Sequence, residues 1–317
     1  MRILIAGAGG DVGRALTPKL ADAGHEVFGM TRSPEKAKAI GQLGAEPIMA
    51  DALKFEAVLR AVRAAKPEVI VHQLTALPRK MDPRKFDREL RATNLLRTAG
   101  TDNLIRAARV EGVRRVVAQS FAPLIYSRQG PKIKTEGDPI ESNPAKPMRN
   151  ALDAIKHLES AVLNDPNVEG IALRYGFFYG PLQSTGGLGA TVPDVRARRM
   201  PVVGSGSGVW SFVHIEDVAS ATQAAIERGR PGVYNIADDE PAPVSVWLPE
   251  LARILHAKPP FRVPEWIARM AVGEAGIVLM TQVRGISNQK AKRELKWQLK
   301  WPSWRQGFAS AFLTDQG

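Results

Sequence analysis

Two patterns of hydrophobic and polar positions alternate along the chain. Short runs rich in β-branched and aliphatic residues, at 3–6, 26–31, 46–49, 69–73, 115–119, 170–174 and 233–236, read as strands. Between most of them, apolar residues recur every three or four positions, over 12–23, 34–43, 55–65, a long stretch at 86–111, and 147–163, and these read as helices. Regular alternation of the two predicts an α/β fold with a parallel sheet covered on both faces. The unbroken Val69-Ile70-Val71 fits a strand buried on both sides.

After Gly180 the pattern loosens into glycine- and proline-rich segments, and from Pro241 onward it is mostly helical, with five of the six tryptophans. The expected organisation is a doubly wound domain over 1–180, to which 209–240 returns. A smaller C-terminal substrate-binding cap is expected from 181–208 and 241–317. No internal repeat is visible.

The first strand runs into Gly7-Ala8-Gly9-Gly10-Asp11-Val12-Gly13, and a helix follows. Glycines at 7, 10 and 13 suit a tight turn, a close backbone approach to a diphosphate, and close helix–strand packing. The helix-start amides would face the phosphates, aided by the helix dipole. The second strand ends Thr31-Arg32-Ser33 with no acid before Glu35. An acid there would accept from ribose hydroxyls, whereas Arg32 with Ser33 suits a ribose 2′-phosphate, which favours NADP(H) over NAD(H).

With these motifs the chain resembles an extended, or atypical, member of the short-chain dehydrogenase/reductase superfamily, in its NAD-dependent epimerase/dehydratase branch. Further motifs carry the resemblance along nearly the whole length: Asp51-Ala52, Leu74-Thr75-Ala76 after strand four, Gly100 to Leu104, Leu173 to Pro181, Gly204-Ser205-Gly206, Trp210 to Ala219, Tyr234-Asn235-Ile236 and Lys292 to Trp297. The resemblance implies a Rossmann fold. It implies cofactor contacts from Gly7, Gly9, Gly10, Asp11, Val12, Gly13, Arg32, Ser33, Asp51, Ala52, Leu74, Thr75, Ala76, Lys156 and Tyr175.

The family's chemistry uses a Tyr-x-x-x-Lys pair on the helix after strand five, with a serine or threonine at that strand's end. Lys156 matches the lysine, but the residue four before it is Leu152, and no tyrosine occurs between Tyr126 and Tyr175. A leucine cannot transfer a proton. The catalytic candidates are therefore Lys156, Ser120 and Tyr126, with Tyr175 and Tyr179 as further aromatic hydroxyls. His214 is expected to have a structural role. Arg97, Arg174 and Lys156 are candidates to hold an anionic group.

Three readings stay open. One is a reductase moving hydride at a carbonyl or alcohol carbon with a substitute proton donor. Another is a non-catalytic NADP(H)-binding redox sensor. The third is a reaction on this scaffold that needs no such tyrosine; an epimerase or dehydratase acting on a nucleotide sugar is a further alternative.

Composition narrows the partners. With no cysteine, disulfides, thiolate metal sites and cysteine nucleophiles are excluded, and no metal is expected. A net charge of +12 would attract anions, but the basic residues are scattered and no nucleic-acid module accompanies them. A small-molecule substrate is expected, with no specific nucleic acid, no membrane partner and a possible homodimer. The N-terminus reads as a buried strand rather than a leader, and residues 266–282 as a packed helix, so a cytoplasmic location is expected.

Overall fold

The computed structural model describes residues 1–78, 81–181 and 188–313; part of the 181–208 segment, including most of its glycine-rich run, lies outside the described residues. Seven strands form the central sheet: β1 (Arg2–Ala6), β2 (Glu26–Thr31), β3 (Glu46–Met49), β4 (Val69–His72), β5 (Arg115–Phe121), β6 (Glu169–Tyr175) and β7 (Gly232–Ile236). Their order is β7-β6-β5-β4-β1-β2-β3, and every pairing is parallel. This is the doubly wound Rossmann arrangement expected from the sequence, and it places the carboxyl ends of β1 and β4 beside the point where the order reverses.

Helices cover both faces. α1 (Asp11–Asp22), α2 (Pro34–Gln42) and α7 (Ile215–Arg228) lie on one side, and α3 (Phe55–Ala65), α5 (Thr101–Glu111) and α6 (Arg149–Leu163) on the other. Alternate strand residues divide between two cores: Ile3, Ile5, Val69 and Val71 face α1 and α7, while Leu4, Ala6 and Ile70 face α3 and α5.

The stretch read as one helix over 86–111 is interrupted. α4 (Phe86–Leu95) and α5 are joined by a π-helical segment, Leu96–Gly100. Thr98 donates its hydroxyl to the Asn94 carbonyl (3.0 Å) and Thr101 to that of Arg97 (2.7 Å), which turns Arg97 inward. Such bulges cluster at functional sites.

The remaining chain builds a second lobe with its own core of Trp210, Phe212, Trp247, Trp304 and Phe308. It holds α8 (Val244–Ile254), α9 (Glu265–Thr281), α11 (Trp304–Leu313) and paired two- and three-residue strands, while α10 (Gln289–Glu294) packs back on β7 of the sheet. α9 is broken at Gly273 (φ 65°, ψ −175°). No helix among the described residues is long and apolar enough to cross a membrane.

Candidate functional site

β1 is fully buried through Ala6 and opens into Gly7 at φ 98°, a backbone state that favours glycine. A Cβ on Gly7 would stand 2.7 Å from the Gln73 carbonyl oxygen, and one on Gly13 2.5 Å from the Ala8 backbone. The loop is thus pressed against β4 on one side and lets α1 pack against it on the other. Gly10 caps α1 with no side-chain hydrogen bond, so the first amides of the helix have no side-chain acceptor at the cap. A helix N-terminus without a side-chain cap, over glycines whose Cβ positions are already filled, fits a diphosphate.

Beyond β2, Arg32 is exposed, and the Ser33 hydroxyl accepts from Lys36 N (3.3 Å), capping α2. The aliphatic stem of Lys36 lies against Gly9, where an added Cβ would meet its Cδ at 2.9 Å. Among the described residues neither the Arg32 guanidinium nor the Lys36 ammonium has a partner. Two unpaired cations therefore flank the glycine loop at the end of β2. Lys36 was not singled out from the sequence, and its signal was only its place one turn into the helix that follows Arg32. At the next strand, Asp51 accepts from Leu53 N (3.0 Å), and the Ala52 carbonyl accepts from Asn103 (2.9 Å).

The segment after β4 is held by two side chains: Leu74 N donates to His72 Nδ1 (3.3 Å) and Ala76 N to Thr93 Oγ1 (3.0 Å). The His72 Nε2 lies 2.9 Å from Thr101 Oγ1, whose own proton goes to Arg97 O, so the network assigns the imidazole proton to Nε2. Burial, with the Arg97 charge adding to it, lowers the His72 pKa to about 4 and keeps it neutral. Tyr175 is fully buried in the layer below the glycine loop. Its hydroxyl lies 2.7 Å from Thr222 Oγ1 and accepts from Gln73 Nε2 (3.3 Å), and burial pushes its pKa up to about 12. Tyr175 is thus hydrogen-bonded to Gln73, against which Gly7 is pressed.

Ser120, Arg174 and Asn235 stand in one register row across β5, β6 and β7, on the face toward α6. Ser120 donates its hydroxyl to Glu159 of α6, and Arg174 clasps the same carboxylate with Nε (2.8 Å) and Nη2 (2.6 Å). All three groups are buried. The Arg174 guanidinium also lies over the Tyr126 ring at 4.9 Å, and Tyr126 donates its hydroxyl to Asn235 Oδ1 (2.7 Å). Burial raises the Tyr126 pKa to about 12, against the lowering influence of Arg174.

The structure therefore gathers Ser120 and Tyr126 into one network, but Lys156 is elsewhere. Its ammonium donates to the Glu141 carbonyl (2.7 Å) on the loop before α6. The face of α6 nearest the strand ends carries Met148, Ala151, Leu152 and Ile155, in one apolar cluster with Ile125, Phe86, Leu90 and Val278. The first ionisable side chain on that stripe is Glu159, which the sequence reading passed over, although it is the one acid at an apolar helical spacing.

The other tyrosine and histidine candidates serve the second lobe. Tyr179 is fully buried against Gly307 and Phe308, and its hydroxyl has no hydrogen-bond partner among the described residues. His214 accepts from Glu216 N (3.2 Å) as the cap of α7, and burial lowers its pKa to about 4. The wall beyond β5 is aromatic, with Phe121 edge-on to Phe177 (5.6 Å) and Phe177 stacked on Trp210 (3.7 Å).

Comparison with known proteins agrees with this geometry. The profile of the NAD-dependent epimerase/dehydratase family matches residues 3–237. The chain is 40% identical over 310 residues to the 3-diazoavenalumate denitrifying reductase of a Streptomyces species, covering 97% of this chain and 99% of that one. It is 29% identical over 257 residues to the 2-alkyl-3-oxoalkanoate reductase of Stenotrophomonas maltophilia, covering 77% and 72% of the two chains. In fold it is similar to the UDP-glucose 4-epimerase of Thermus thermophilus in complex with NAD, with a TM-score of 0.75, 24% identity and full coverage of both chains.

Proposed function

The chain belongs to the NAD-dependent epimerase/dehydratase family and is an NAD(P)-dependent oxidoreductase of the short-chain dehydrogenase/reductase type; from that premise we propose that it is an NADP(H)-dependent reductase of a small organic acid bearing a diazonium group. The observation that carries the reading is the apolar face of α6. Met148, Ala151, Leu152 and Ile155 lie together in one apolar cluster, and Leu152 stands four residues before Lys156, where the family's proton donor would be. Carbonyl reduction leaves an alkoxide that needs a proton, and a positioned acid there contributes ~10²–10⁴-fold. Replacing dinitrogen by hydride needs none: the hydride pair forms the new C–H bond, the C–N pair leaves with N₂, and the nicotinamide is left oxidised. The full-length Streptomyces relative, named as a denitrifying reductase of a diazo acid, supports this class.

The bound nicotinamide supplies the hydride. The chain's own residues bind and exclude. The uncapped amides after Gly10 would hold the diphosphate, and Arg32 with Lys36 the 2′-phosphate. Leu74 to Ala76, fixed by His72 and Thr93, would line the cofactor. Phe121 and Phe177, set edge to face, offer an apolar wall for an aromatic substrate, and the buried α6 face keeps water from the reacting carbon.

A second reading has one observation in its favour. Tyr126 beneath the Arg174 guanidinium is a phenol beside a cation, the combination a carbonyl reductase needs. One experiment separates the two. Purified protein with deuterated NADPH is offered a carboxylated arenediazonium salt and, separately, a panel of ketones and aldehydes. Dinitrogen released in step with NADPH oxidation, with deuterium in the arene and full activity in Tyr126→Phe, is the expected result. Turnover of ketones alone, abolished in Tyr126→Phe, would establish the carbonyl reading instead.

A further inference from the structure

The first half of α9, residues 265–272, holds large apolar side chains out in water. Trp266 is 69% exposed, Met270 72% and Ile267 38%, while Ala268 between them is buried. Positions 266, 267 and 270 share one side of a helix. Gly273 then breaks the helix with a backbone geometry open to glycine, and its Cα packs close to Arg84. Beyond the break, Ala275 and Val278 enter the apolar cluster beside α6. The half-helix is therefore a short arm at the rim of the candidate substrate region, presenting an apolar face that no described residue covers.

The surroundings of this face are cationic. Phe261, 43% exposed, lies just upstream, with the Arg198 guanidinium 5.7 Å from its ring centre. Lys258 and Arg262 are exposed beside it. Arg269, on the arm itself, is paired with Glu274 just beyond the break, and the one acid of the arm, Glu265, packs by Gly204. The chain as a whole carries +12.

We propose that this face docks on an anionic lipid surface. Trp266, Ile267, Met270 and Phe261 enter the boundary between headgroups and acyl chains, while Arg198, Lys258 and Arg262 meet lipid phosphates. Exposed tryptophan and other apolar side chains bordered by arginine and lysine are what an interfacial helix offers a membrane. A second copy of the chain is the poorer occupant. A twofold contact sets a patch against itself, which would bring these like charges together. The inference stands apart from the reading of the active site.

The test is co-sedimentation of the purified chain with phosphatidylcholine vesicles, with and without phosphatidylglycerol, beside the double variant Trp266→Ser/Met270→Ser. Both positions are exposed, so the variant should keep the native unfolding midpoint, and that is measured first. Binding is expected only to the anionic vesicles, weakening as salt is added and falling by about tenfold in the variant. No partition into anionic vesicles at low salt would overturn the proposal. So would equal binding by the variant, which would assign the effect to the general basic surface. Sedimentation velocity supplies the remaining outcome: a dimer of the native chain that the variant abolishes, without vesicle binding, assigns the face to self-association.

Discussion

At the scale of single residues, the proposed preference for NADPH rests on two cations. Arg32 and Lys36 are both unpaired, and Lys36 already lies across Gly9. Arg32→Glu should weaken NADPH binding by about 10- to 100-fold, as expected for losing a charge-assisted phosphate contact, and leave NADH nearly unchanged; fluorescence titration reads both. Lys36→Ala should do the same more mildly. Arg32 was legible in the sequence because the end of β2 is where a ribose is read. Lys36 was not, because its reach depends on how α2 returns over the glycine loop. A second residue carries a pH signature. Asp238 is buried, one carboxylate oxygen has no hydrogen-bond partner among the described residues, and burial holds its pKa well above the ordinary carboxylate range. An acid whose folded pKa is raised penalises folding above that pKa and ceases to do so once pH falls below the unfolded value. Asp238→Asn should therefore stabilise the chain by roughly 1–3 kcal/mol near pH 8, a gain that closes as pH falls toward about 4. Unfolding in denaturant at several pH values checks this, and a pH-independent difference would mean that Asp238 is ionised through some partner in the fold.

At the scale of elements, the register of α6 on the sheet explains both the site and its stability. Helical spacing puts Met148, Ala151, Leu152, Ile155, Leu158, Glu159 and Val162 on the buried side, and Glu159 is the single charge among them. That charge is tolerable because β6 brings Arg174 beneath it and β5 brings Ser120. Removing one member of a buried pair strands the other, so Glu159→Gln should cost about 3–5 kcal/mol of unfolding free energy. Ser120→Ala should cost about 1 kcal/mol, the worth of one hydrogen bond. If Ser120→Ala instead abolished turnover at unchanged stability, the hydroxyl would be acting on substrate. The strands themselves were legible nearly to the residue, since a sheet covered on both faces forces unbroken apolar runs such as 69–71. The break in the 86–111 helix was not. It arises from threonine hydroxyls bonding back to the helix around a buried Arg97, and helical periodicity carries no trace of that. The absent tyrosine was legible as an absence. Which α6 side chains turn inward was not legible; in the structure Leu152 lies in an apolar stripe and the Lys156 ammonium donates to the Glu141 carbonyl.

For the whole molecule, the question is whether the two lobes behave as separate domains. The chain leaves the sheet after β6, crosses into the second lobe, returns as α7 and β7, and leaves again. The returning helix is stitched to the late chain: Asp217 of α7 accepts from the backbone amides of Lys300 (2.8 Å) and Trp301 (2.9 Å), and Trp297 donates to Ser220 (3.0 Å). Asp238, just after β7, donates its amide to the Phe212 carbonyl of the second lobe (2.7 Å). Neither lobe can unravel without tearing α7 or β7 from the other. A single cooperative unfolding transition is therefore expected despite the two hydrophobic cores. NADPH, whose contacts are proposed to lie almost wholly on the sheet domain, should then move the entire transition, by about 2.7 kcal/mol at a free concentration one hundred times its dissociation constant. Tryptophan emission is weighted to the second lobe, whose core holds Trp210, Trp247 and Trp304, whereas far-ultraviolet dichroism reports the helices and strands of both lobes. Coincident curves that shift together with NADPH support one folding unit. An emission transition that stays in place while the dichroism moves would show a second lobe that folds on its own, with a cofactor the sheet domain binds alone.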